Sequence, residues 1–163
     1  MPAGTILTSR LHRSIAARQS IAVEVKGLGQ LGNEESMIDL LSAAGRSHLA
    51  AADRLQLAWA LGRIGDDRGV PQLVDWLTSG DSQLKGAALT ALERIDTSLA
   101  AQEVRPLLKV ETHLPNKLRF ARLLARHGIA DGYTLATEHL SDAGETAAAA
   151  LVPSERHSAL TPF

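Results

Sequence analysis

Three arginines, Arg63, Arg94 and Arg126, follow one another at intervals of 31 and 32 residues, and Arg54, Lys85 and Lys117 keep the same intervals. Where a chain repeats its structure at such an interval, each set becomes a ladder of cations able to follow an extended acidic peptide or a phosphate backbone. Arg119 and Arg122 stand at helical spacing before Arg126, so this stretch is the most basic local surface. Covalent chemistry finds less material. There is no cysteine, which removes disulfides, thiolate nucleophiles and cysteine-bound zinc together. The six histidines are His12, His48, His113, His127, His139 and His157, and no two share a helical face with a carboxylate in a metal-ligand pattern. Serine, histidine and aspartate are scattered without a nucleophile elbow, and no glycine-rich phosphate loop follows a strand. The expectation is no catalytic set, no metal and no cofactor.

The elements that position these cations come from a repeated phrase. Leu28-Gly29-Gln30-Leu31-Gly32-Asn33 returns 33 residues later as Leu61-Gly62-Arg63-Ile64-Gly65-Asp66, and 31 further on as Leu92-Glu93-Arg94-Ile95-Asp96. A further 32 residues bring Leu124-Ala125-Arg126-His127-Gly128. One period near 32 accommodates two helices and two turns, the unit of a helical solenoid. Apolar periodicity and turn signals predict helices at about 9 to 31, 34 to 44, 48 to 64, 67 to 79, 82 to 95, 98 to 110, 115 to 127, 130 to 140 and 143 to 151. The first of these, opened by Thr8 or Ser9, is one long helix or two short ones. Gly45, Gly65, Gly80 and Gly128 are expected as left-handed C-caps, with Asp66 or Asp67, Asp81 and Asp142 as helix starts. Pro71 fits a first turn, and Pro106 falls inside its helix and should bend it. Residues 152 to 163 read as a loose tail after a single domain spanning 1 to 151.

Composition sets the outer limits. The formal net charge of -1 gives no global field to recruit nucleic acid or a membrane, so any electrostatic work must be local. No stretch has the length and apolarity of a membrane span or a signal peptide, and a soluble cytoplasmic protein is expected. Aromatics make up only 3%, which suits closely packed helices better than strands. Trp59 and Trp76 sit within apolar helical patterns and are expected between helices.

The stretch Leu61 to Leu73, with its Leu-Gly-Arg-Ile-Gly-Asp turn and early Pro71, followed by Asp81-Ser82-Gln83-Leu84-Lys85, resembles the HEAT repeat. It is especially similar to the short repeats of phycobilisome lyases, with Leu84 and Lys85 where that pattern has Val and Arg. The resemblance covers most of residues 20 to 140. It implies an all-α, right-handed α-solenoid of about four HEAT-like helical hairpins, whose second helices line the inner surface and carry both cation columns. In such repeats the cation of the first column is commonly structural, and Asp81 stands near Lys85 to pair with it. The second column is open to either use.

These readings point to a non-catalytic scaffold that binds a protein or peptide, an acidic one among the candidates, through Arg63, Arg94, Arg126, Arg119 and Arg122. The resemblance also keeps in view a lyase-like chaperone for a bilin or a modified protein, and, less favoured, a HEAT-like nucleic-acid binder. A HEAT-like hydroxylase that holds iron through His-Glu pairs is disfavoured, because that dipeptide does not occur.

Overall fold

A computed structural model describes residues 3–143. Among them run nine α-helices: α1 (Ala3–Ala16), α2 (Ala22–Leu31), α3 (Glu34–Ala44), α4 (Ala51–Ile64), α5 (Val70–Leu77), α6 (Ser82–Ile95), α7 (Ser98–Val110), α8 (Leu114–Arg126) and α9 (Ala130–Ala143). A short 3-10 turn, Asp67–Gly69, leads into α5, and no strand occurs among the described residues. Consecutive helices pair as four hairpins in chain order, with α9 packed on α8. The even-numbered helices form one layer in which α4 lies between α2 and α6, while α1 touches α3 and α5 touches α7 in the other. The fold is an all-α solenoid, as the period required.

The repeated phrase marks the inside of each hairpin. Leu28, Leu61, Leu92 and Leu124 occupy the same place in successive repeats and are each fully buried. Just after each of them the chain turns through a left-handed residue: Gly32 at φ 62°, Gly65 at 75°, Asp96 at 49° and Gly128 at 71°. That conformation ends a helix and frees the next residues to start another. Asn33, Asp66 and Thr97 follow in the same register, and each accepts a backbone N–H of the segment it opens, from Ser36, Arg68 and Ala100 respectively.

Asp81 caps α6 in the same way, accepting from the Gln83 and Leu84 amides at 2.9 and 3.1 Å. Replacing it with alanine removes an acceptor from two helix-terminal donors, and should lower unfolding stability by about 1 kcal/mol, read as a shift of the urea midpoint at unchanged slope.

Several sequence expectations are corrected. The first helical stretch is two helices, and the first begins at Ala3, so Thr8 and Ser9 lie within α1 instead of capping it. The break comes at Arg18, which itself takes a left-handed φ of 53°. Helix α4 begins at Ala51, three residues after the expected start, and the segment from 67 is a 3-10 turn before an α5 that ends at Leu77. Gly45 has φ −70° and Gly80 is not left-handed, so neither is the cap expected of it; Gly32 and Asp96 take that role. Helix α9 runs through Asp142, which is therefore not a helix start. Pro106 lies inside α7, where it was expected. Of the helix expected at 143 to 151 only Ala143 is described, as the last residue of α9, and the tail at 152 to 163 with His157 lies outside the described residues.

Candidate binding face

The second cation column sits at one recurring place, the last turn of an even-numbered helix: Arg63 on α4, Arg94 on α6, Arg126 on α8. A cation there faces the negative end of its own helix dipole, worth roughly 0.3–1 kcal/mol, so each has a structural use before any ligand is considered. Their further surroundings differ. Arg63 is exposed and lies over the Trp59 ring, its guanidinium carbon 5.7 Å from the centroid. Arg94 is exposed, and neither it nor Arg63 has a carboxylate partner among the described residues. Arg126 pairs with Asp96 of the preceding repeat at 2.9 Å, and His127 Nε2 lies 3.3 Å from the same carboxylate.

Arg119 and Arg122 converge on a single acid. Arg119 donates to Glu93 at 2.6 Å and to Thr90 Oγ1 at 2.8 Å, and Arg122 donates to the other Glu93 oxygen at 2.6 Å. Glu93 belongs to α6 and the two arginines to α8, so the most basic stretch of the sequence is held partly by a bond between neighbouring repeats. Glu93 was not singled out from sequence. Its signal was present: it takes the place that Gly29 and Gly62 hold in the two preceding repeats.

In the first column Arg54 donates to the Leu49 carbonyl at 3.1 Å. Lys85 pairs with Glu111 at 3.5 Å, not with Asp81, whose side chain is engaged in capping α6. Burial pushes the Glu111 carboxyl up, but the His113 amide, the Lys85 ammonium and the Asn116 amide outweigh it and hold the group below its ordinary value. Trp76 is buried in the core, while Trp59 is only partly covered and leaves a ring face to Arg63.

Among the described residues two cations, one braced on an indole, therefore stand without a carboxylate partner on adjacent helices of one layer, with Arg126, Arg119 and Arg122 beyond them in internal ion pairs. No helix among the described residues is long and apolar enough to cross a membrane. A comparison with curated proteins finds no match to this chain. The sequence pattern of HEAT repeats matches residues 38–125, from within α3 almost to the end of α8. That match spans more than half of the sequence, and the stacked hairpins carry its turn residues in register, so the chain belongs to the HEAT-repeat family.

Proposed function

We propose that this protein is a scaffold without chemistry of its own, which holds an acidic segment of a protein partner against the even-numbered helices. HEAT repeats are generally protein-interaction scaffolds. The observation that carries the reading further is the pair Arg63 and Arg94: exposed, one repeat apart, and without a carboxylate partner among the described residues. Adjacent packed helices lie about 10 Å apart, a spacing that side chains of one extended peptide can match. Arg119, Arg122 and Arg126 add positive potential beside the pair while their ion pairs hold α8 to α6. A peptide is favoured over nucleic acid because the net charge is -1 and few aromatics are present to stack on bases.

The test is fluorescence anisotropy with a labelled polyglutamate peptide at low salt. The wild-type chain should bind it, and the double variant Arg63→Glu/Arg94→Glu should bind about tenfold or more weakly with an unchanged circular dichroism spectrum. Equal binding by the variant, or none by the wild type, overturns the proposal. Duplex DNA bound in preference, with an affinity that falls steeply as salt rises, would give the face to nucleic acid instead.

A further inference from the structure

The three junctions of the even-numbered layer are not built alike. At the first, Gly29 of α2 meets Ala60 of α4 so closely that a Cβ added to the glycine would lie 2.8 Å from the Ala60 Cβ. At the second, a Cβ on Gly62 of α4 would lie 2.6 Å from the Ala91 Cα of α6. Small residues in register thus let backbones touch, and the surrounding leucines interlock at native density. The third junction breaks the pattern on both sides, because the register puts Glu93 where glycine stood and Leu123 where alanine stood. Helices α6 and α8 accordingly meet over little of their length, whereas α4 packs extensively on both its neighbours. Ion pairs cross this third junction: the Glu93 carboxylate, only 13% exposed, is gripped by Arg119 and Arg122, and the pairs Arg126–Asp96 and Lys85–Glu111 also join the two hairpins. A cleft of about 280 Å³ lined by Leu77, Lys85, Leu107, Val110, Glu111 and Phe120 lies between the third and fourth hairpins.

We propose that this third junction is an ionic joint. The grip of Arg119 and Arg122 on Glu93 sets its width, and loosening that grip lets α7, α8 and α9 swing as one body about the contact between α5 and α7. The first two junctions stay closed, because nothing ionic holds their glycine–alanine contacts. Opening separates α8 from α6 and carries Arg126 away from Arg94, changing the spacing of the cation column. The joint does not depend on what the face binds.

The absence of cysteine makes the joint directly measurable by double electron–electron resonance between nitroxides on introduced cysteines. Gln83→Cys with Leu114→Cys places labels on exposed positions of α6 and α8, across the joint; Ala52→Cys with Gln83→Cys spans the close junction between α4 and α6. In the parent both pairs should give narrow distance distributions. Adding Glu93→Ala should broaden the first and move it outward, leaving the second unchanged. Arg119→Gln with Arg122→Gln leaves Glu93 in place and should reproduce the effect, which covers the case in which Glu93→Ala fails to fold. A cross-joint distribution that stays narrow in the folded variants, or broadening of both pairs together, would overturn the proposal.

Discussion

Replacing Gly62 with alanine should destabilise the protein by about 1–3 kcal/mol, even though alanine is the better helix former by close to 1 kcal/mol. The sign is decided by contact. The new Cβ would sit 2.6 Å from the Ala91 Cα and 2.7 Å from its Cβ, and these are atoms of a neighbouring helix that cannot rotate aside. Relief requires α4 and α6 to part, which unseats the fully buried Leu57, Leu61, Leu89 and Leu92. Gly86, inside α6, supplies the opposite result. A Cβ there meets nothing within 4 Å, so Gly86→Ala should stabilise by about 0.5–1 kcal/mol through the entropy of the unfolded chain and helix propensity. Urea titrations of the two variants should shift their midpoints in opposite directions. Equal shifts would mean that the backbones at Gly62 do not approach as described.

The second large loss is expected from Asp53→Ala, about 2–3 kcal/mol. Ile21, at the N-cap of helix α2, offers no side-chain cap, and the Ser20 hydroxyl accepts the Ala22 amide only at 3.4 Å. The acceptor comes instead from the next repeat, where Asp53 on α4 takes the Ile21 amide at 3.0 Å and the Ser20 hydroxyl at 3.0 Å. Asp53 is 4% exposed, so truncating it leaves the buried Ile21 N–H without its acceptor. Asp53→Asn keeps an acceptor and loses only the charge assistance, and should cost roughly 1 kcal/mol. Equilibrium unfolding should therefore rank the variants wild type, asparagine, alanine; an alanine variant as stable as asparagine would deny the inter-repeat cap.

That cap also shows why the N-terminal part of the fold was the hardest to read. The leucine column, the turn positions at Gly65 and Gly128, and the caps at Asp66 and Asp81 are local signals, each complete within a few residues, and they were legible. The break between α1 and α2 has no glycine or proline to announce it. It is imposed by Arg18 in a left-handed conformation and by an aspartate more than thirty residues away. The same distinction runs through the cation face. Spacing alone lined up Arg63, Arg94 and Arg126, but which guanidinium is free depends on carboxylates contributed by the neighbouring repeat. Lys85 shows this directly: the acid nearest in sequence was already engaged at a helix end, and Glu111, 26 residues on, supplies the partner. Glu93 was visible as an exception to a glycine column. Its role required seeing two arginines of α8 reach it.

Helix α4 carries both halves of a coupling, for Ala60 receives the glycine of the helix before it while Gly62 is received by the alanine of the helix after it. A duplicate of the second hairpin spliced in behind the original would find its own mirror contact ready, and the rod could lengthen by one rung with no new surface to invent. The third hairpin lacks this property, since a copy of α6 would bring Glu93 against a backbone with no arginine pair to receive it. Growth by tandem duplication is thus open on one side of the molecule and closed on the other.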